Sequence, residues 1–381
     1  MAPPALPPLE LPLLTADLPG TGGRIRSLDD DFGVEELPAY EPSGDGDHVW
    51  VWIEKRGVTT PVAAARIATA AGVPVRDVGW AGLKDRHAVT RQWLSLPPPA
   101  KPEQVAGFDD GGVRVVTVTR HRNKLRTGHL RGNRFVLIVR GVGDAEVAAA
   151  RARAVLAALA EAPGAPNWYG EQRFGRDGDN AEAGLAVLRD PRGRTGGPPR
   201  QRRFLVSALQ SYLFNRWLAA RVADGLYRDV VTGDILQKRA TGGIFMSTEP
   251  EVDRARLAAG ELVVTGPMFG AAMRAPPDGT PAHRREAAIL ATFDLGPQSF
   301  HAARAIAQGT RRAASIAIGE PEAVPAGPDV IRVGFSLPAG AYATAVLREI
   351  QKGTPYPEPD VPGNTRDDPD PTDDPDQPPT E

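Results

Sequence analysis

The sequence predicts an α+β fold, and three observations carry that prediction. Residues 48–55, HVWVWIEK, alternate strictly and are rich in aromatic and β-branched side chains, the pattern of a strand. Further strands are expected at 113–120 (VRVVTVTR), 135–142 (FVLIVRGV) and 330–337 (VIRVGFSL). Helical stretches accompany them: residues 144–162 are Ala-rich, and in 204–223 Leu205, Leu209, Leu213 and Trp217 recur every four residues on one face. Long, antiparallel-looking strands mixed with such helices make an α+β domain.

Taken in order, the strand at 48–55 leads into TTPVAAARIATAAG. There Thr60 is expected to cap a helix, Pro61 to take its first position and Gly72 to end it. Residues 78–96 read as a short strand, a turn built on Gly82, and a second strand from Val89. Between 176 and 201 the chain is rich in Gly, Pro and Arg, which marks a boundary into a second domain. Both ends read as disordered: six prolines fall in the first twenty residues, and from 354 onward Pro and Asp dominate. No internal repeat is evident.

A length of 381 residues suits two domains. The absence of cysteine rules out disulfides, Cys-ligated zinc, iron–sulfur clusters and thiol nucleophiles. No basic, apolar leader opens the sequence and no 18 consecutive apolar residues occur, so a cytoplasmic protein without membrane association is expected. The formal charge of −2 is unevenly distributed. Residues 357–381 hold nine acidic side chains against Arg366, a net −8 that leaves +6 on residues 1–356. A positive body fits a polyanionic partner, though this charge alone is weak support.

The most informative segment is GWAGLKDRHAVTRQW, with the cluster Lys84, Asp85, Arg86, His87 on its turn. Taken alone, an Asp beside Lys and Arg reads as a solvated ion pair. The segment nevertheless resembles the AG(L/Q)KD(K/R)HAVT signature of the TruD family of tRNA pseudouridine synthases. Other blocks resemble that family in order: DDDFGVEELPAYEPSGDGDHVWVWIEKRGVTT, HRNKLRTGHLRGNRFVLIVR, PNWYGEQRFG, LFNRWLAARV, TGPMFG and LPAGAYATAVLREI. The matches are collinear over residues 13–352.

The resemblance implies a catalytic domain with a mixed, largely antiparallel sheet, built from residues 13–175 and 315–352 and interrupted by a TruD-specific domain at 176–314. Segments 1–12 and 353–381 are left as disordered. It implies isomerisation of a tRNA uridine, usually uridine 13, with Asp85 as the catalytic residue. Lys84 belongs to the same catalytic group, as does a basic residue before the DF pair, Arg26, with Arg24 as the alternative. The reaction breaks N1–C1′, turns the uracil and joins C5 to C1′, so it is redox-neutral and no cofactor or metal is expected. One ionised acid suffices, as nucleophile or as the base removing the 2′ proton, and the residues do not choose between them.

A base flipped toward a carboxylate is held by aromatic stacking and an amide that reads its edge. The family blocks offer Phe32, Phe135 and Tyr342 for stacking, Asn133 for the edge and His87 beside the acid. Tyr342 departs from the phenylalanine common there. On local grounds such aromatics are more often core than stacking platform, and Asn133 reads equally as a turn asparagine. Residues 120–134 carry six Lys/Arg, two His and no acid. Of these, Arg122, Lys124, Arg126, Arg131 and Arg134 are read as phosphate contacts, with Arg173 and Arg176 as further backbone contacts. GDGD and GRDGDN lack calcium-ligand spacing. The expected partner is tRNA; no protein partner is inferable, and a monomer is expected. A non-catalytic RNA binder is the rival reading, and the intact Asp85 argues against it.

Overall fold

In the computed structural model, residues 6–175, 178–193 and 195–353 are described; Arg176 and the acidic tail lie outside them. The chain runs β1 (Phe32–Pro38), β2 (His48–Arg56), α1 (Thr60–Ala71), β3 (Gly79–Trp80), β4 (Val89–Leu96), α2 (Pro102–Val105), β5 (Val113–His121), β6 (Leu130–Arg140), α3 (Ala145–Ala160) and β7 (Ala165–Pro166). Then come α4 (Asn180–Arg189), α5 (Pro199–Ala223), β8 (Ile235–Lys238), β9 (Ile244–Met246), α6 (Pro250–Ala258), β10 (Leu262–Met268), α7 (Pro281–Ala291), α8 (Pro297–Ala302) and β11 (Thr310–Ala313). The last elements are β12 (Ser315–Ile316), β13 (Gly319–Gly327), β14 (Val330–Pro338) and α9 (Ala343–Gln351).

Eight strands form one sheet, ordered β13-β14-β6-β1-β4-β2-β5, with β3 on β4. Only β1–β4 is parallel, so the sheet is mixed and largely antiparallel. Its centre joins distant parts of the chain, since β6 pairs with β14 over nine consecutive positions from Val330–Arg140 to Pro338–Gly132. Gly132 lets this pairing close, because a Cβ there would lie 2.1 Å from the Leu337 carbonyl oxygen.

Helices cover one face in two separate layers. The first is α3 and α9: Ala148, Ala149, Ala152, Val155, Leu156 and Leu159 of α3 and Val346, Leu347 and Ile350 of α9 pack on Leu137, Val139, Val333 and Phe335. Small alanines let α3 lie close to the sheet, and Asp144 caps it by accepting from the amides of Glu146 and Val147. The second layer is α1, whose Ala63, Ala64, Ile67, Ala68 and Ala71 pack on Val49, Val51 and Ile53. Each fully buried Val, Leu or Ile contributes roughly 1.5–3 kcal/mol.

Thr59, not Thr60, caps α1 by accepting from the Val62 amide. Thr60 is fully buried and uses its hydroxyl elsewhere. Pro61 is accordingly the second helical residue rather than the first, while Gly72 ends the helix as expected, in the left-handed conformation at φ 68°.

Residues between β7 and β12 build a second body around a four-stranded sheet, β11-β10-β8-β9, whose strand β10 is buried at every position. The stripe of α5 predicted from sequence, Leu205, Leu209, Leu213 and Trp217, is buried throughout. β7 pairs antiparallel with β12, so Ala165–Pro166 and Ser315–Ile316 lie side by side. Residues 6–12 also differ from expectation. Leu6 and Leu9 pack beside α4 and α5, and Tyr212 donates its hydroxyl to the Pro7 carbonyl at 2.7 Å. Leucines between the prolines fasten a segment whose proline content suggested disorder. Among the described residues no helix is long and apolar enough to cross a membrane.

Candidate active site

A polar stripe separates the two helix layers. The strand registers pair Lys55 with Thr90, Val34 with Thr90, and Glu36 with Asn133, placing Lys55, Thr90, Gln92, Glu36 and Asn133 on the helix-covered face. Lys55, Glu36, Thr90 and Gln92 are all buried. Residues 81–88, the loop from β3 to β4, are fastened to this stripe.

Within the loop Lys84 and Ala88 are buried and Asp85, Arg86 and His87 are exposed. Thr60 Oγ1 accepts the Lys84 amide at 2.9 Å and donates to Gln92 Oε1 at 2.8 Å, while Gln92 Nε2 donates to the Gly82 carbonyl at 3.0 Å. Lys55, 1% exposed, points its ammonium at the carbonyls of Val58 (2.8 Å), Lys84 (3.2 Å) and Asp85 (2.7 Å). Lys84 turns inward and pairs with the buried Glu36 at 2.9 Å. Glu36 occupies the place where β1 stops pairing with β4, and its Oε1 also receives the Trp93 amide at 3.4 Å. Gly82 does not adopt a left-handed turn; it lies against the Lys84 ammonium, 3.1 Å from where a Cβ would sit.

Anchored on both sides, the loop presents the Asp85 carboxylate, its side chain 42% exposed, to solvent. Its partner is Arg26, whose Nη2 donates to Oδ2 at 2.7 Å. Arg26 sits in the left-handed region at φ 58°, and its guanidinium lies over the Phe32 ring at 4.0 Å. The turn that carries both is stapled by Asp31, a fully buried carboxylate that accepts the Leu28 amide and is gripped bidentately by Arg140. Arg24 instead exchanges backbone hydrogen bonds with Arg140, so Arg26 is the side chain that reaches the acid. Among the described residues no group of three or more His, Asp or Glu could hold a metal ion.

The family model for tRNA pseudouridine synthase D (TruD) matches residues 8–192 and 196–350. The chain belongs to the TruD family. It is 48% identical over 347 residues to tRNA pseudouridine synthase D of Anaeromyxobacter dehalogenans strain 2CP-C, covering 90% of this chain and 97% of that one. A Thermus thermophilus protein of the same name is 43% identical over 351 residues, 91% and 93% of the two chains. A solved Methanosarcina mazei structure assigned to TruD superposes with a TM-score of 0.73 at 22% identity, over 91% of this chain and 97% of that one.

Against the TruD expectations, the structure gathers Asp85, Arg26, Phe32 and Lys84 and sets Asn133 beside Glu36. The Asn133 Oδ1 is buried and has no hydrogen-bond partner among the described residues, an acceptor left open in the stripe. Phe32 and Phe135 are 2% and 6% exposed core residues in edge contact, so neither offers an open ring in this state. Phe32 lies directly beneath Arg26. Tyr342 is the half-buried residue just before α9, its ring 6.1 Å from that of Tyr169, which follows β7. His87 is 72% exposed and faces Asp29 at 3.8 Å.

The basic loop between β5 and β6 touches the 81–88 loop, since the Gly128 amide donates to the Ala81 carbonyl at 2.8 Å. Leu125 anchors it on Trp50 and Trp93, leaving Arg126 exposed and Lys124 half-buried. Its cations do have acidic neighbours, from other segments: Arg122 pairs with Asp45 at 2.9 Å and Arg134 lies 3.6 Å from Glu320. Arg131 is exposed and donates to the Pro38 carbonyl. Arg173 is a correction. It is 5% exposed and binds the hydroxyls of Ser211 and Ser207 on α5, so its guanidinium is engaged inside the protein rather than presented to a phosphate.

Lys55, Glu36 and Asp31 escaped the sequence reading, which took Thr60 only as a helix cap. Two carried a signal. In HVWVWIEK and FGVEELP the alternation that buries Val49, Val51 and Ile53, or Phe32 and Val34, continues onto Lys55 and Glu36. A charge on a core face needs a buried partner.

Proposed function

We propose that this chain converts a uridine of tRNA, at position 13, to pseudouridine with Asp85 as the catalytic carboxylate. The observation that carries the reading is an exposed carboxylate held by one arginine on a loop whose backbone is fixed from beneath by buried polar groups. A general acid–base or nucleophilic carboxylate needs that combination of access and fixed aim.

Arg26 holds Asp85 oriented and supplies positive charge where the uracil leaves C1′ carrying negative charge. Asp85 then acts either as the nucleophile or as the base that takes the 2′ proton. The uracil turns, C5 joins C1′, the C5 proton is removed and N1 takes up a proton, and on the base route the 2′ proton is returned to C2′, so atoms balance without an oxidant. Asn133 fits the edge of the flipped base: its amide oxygen, buried and unpaired in the free chain, accepts from uracil N3–H once the base has displaced what covers it. For the base to stack on Phe32, Arg26 has to lift from that ring. The basic loop beside the catalytic loop suits the flanking phosphates.

The test is incubation of the pure protein with unmodified tRNA transcript, followed by chemical mapping of pseudouridine. Modification at position 13 by the wild type, absent with Asp85→Asn, is the expected result. No pseudouridine in any tRNA would overturn the reading.

A further inference from the structure

We propose that Lys55 is the positioning residue of this site, a buried ammonium that fixes the backbone on both sides of Asp85 and thereby aims its carboxylate at Arg26. The inference rests on the reading of Asp85 as the catalytic acid.

The geometry is stoichiometric. A charged lysine has three N–H donors and no acceptor. Three carbonyls receive them, those of Val58, Lys84 and Asp85, at 2.7–3.2 Å. Two of these flank the Asp85 peptide, so rotation of that peptide unit breaks a charge-assisted hydrogen bond. A further fixed point is the Lys84 amide on Thr60, which pins the preceding unit. The lysine itself stands on a rigid base, in β2 between β4 and β5, opposite Thr90 and Val113. It is 1% exposed and forms no direct ion pair among the described residues, so neither solvent contact nor a surface salt bridge accounts for a cation there.

The same count makes the device sensitive to pH. A neutral amine has two N–H groups and a lone pair, and the lone pair would face a carbonyl oxygen. Burial pushes the Lys55 ammonium down to about 8, opposed by the Asp85 carboxylate and assisted by Lys84. Those are the charged groups facing it from the loop; Thr60 of α1, Thr90 of β4 and Val113 of β5 are uncharged. Lys84 is in turn neutralised by Glu36, and Asp85 by Arg26.

Two kinds of measurement test the proposal, one of them independent of the reaction. In free protein, hydrogen exchange at fixed pH is compared for wild type and Lys55→Met, which keeps the length of the chain but has no donor. Exchange across residues 82–88 is expected to speed by about tenfold or more while α3 is unchanged. Single-turnover isomerisation by Lys55→Met is expected to fall by on the order of 10²-fold with tRNA affinity within twofold, the cost of a misaimed group. Wild-type single turnover should lose rate through an apparent pKa near 8, a limb absent in Lys55→Met. Unchanged exchange in 82–88 would overturn the role whether or not the chain modifies tRNA. So would a Lys55→Met rate within twofold of wild type, or a wild-type profile flat from pH 7 to 10. The last needs no variant and stands even if Lys55→Met folds poorly.

Discussion

The guanidinium of Arg26 stands between an aromatic ring and the Asp85 carboxylate, 2.7 Å from the acid and 4.0 Å above Phe32. One side chain therefore both orients the acid and covers the ring on which a base would stack. Asp85→Asn is expected to lower single-turnover isomerisation by at least ~10³-fold with tRNA affinity nearly unchanged, because the amide is isosteric but neither basic nor comparably nucleophilic. Arg26→Met, which leaves the ring covered by an uncharged chain, should cost on the order of 10²-fold. Asp85→Asn within tenfold of wild type would remove the acid from the mechanism.

The Lys84–Glu36 pair makes a different kind of prediction. Both side chains are nearly inaccessible, so removing one strands the other's charge. Glu36→Leu should destabilise the protein by roughly 3–5 kcal/mol, read as a fall in denaturation midpoint, while Lys84→Met with Glu36→Leu should recover most of it. A Glu36→Leu protein as stable as wild type would mean that the ammonium finds water, and that the stripe is not closed.

Arginines in this chain separate by salt dependence. Arg126→Ala, on the exposed basic loop, should weaken tRNA binding and reduce the slope of log K against log salt by about 0.7–0.9, one phosphate contact. Arg173→Ala should leave that slope alone and lower stability by ~1.5–3 kcal/mol through lost charge-assisted bonds to Ser207 and Ser211. A reduced slope for Arg173→Ala would show that its guanidinium swings outward on binding.

Asn133 offers a test by base identity. With its amide oxygen open beside Glu36, Asn133→Ala should lose affinity for a target-site uridine without losing the weaker binding of a cytidine-substituted transcript. Equal losses for both transcripts would return the residue to a purely structural part.

The sheet and its helices were legible because alternation and four-residue spacing report burial directly; β2, β5, β14 and the α5 stripe stand where those periods place them. Family motifs found Asp85, but no local pattern distinguishes it from a solvated ion pair. What holds it is long-range: Thr60, Gln92 and Lys55 come from three elements, and a hydroxyl at a helix start gives no sign whether it caps or crosses to a neighbour. Arg173 was misread for the same reason. An arginine in an aromatic loop has one sequence appearance whether Ser207 and Ser211 wait for it or not. Phe32 and Phe135, whose alternatives were left open, lie in the core here.

The pairing of β6 with β14 and the grip of Glu349 on the N-terminal segment bear on how the polypeptide matures. Glu349, 1% exposed, accepts from the Leu14 and Thr15 amides and the Thr15 hydroxyl at 2.6–3.1 Å, and the Thr21 amide reaches the Ile350 carbonyl. On a ribosome β6 therefore emerges some 190 residues before β14, and its edge stays unpaired while the whole second body is made. At ~5–20 residues per second that interval is roughly 10–40 seconds. A nascent chain arrested before β14 should remain sensitive to protease around β6 and acquire protection only once α9 has cleared the exit tunnel. Synthesis of the last strand and helix, rather than of the residues that do the chemistry, then sets the moment at which the enzyme comes into being.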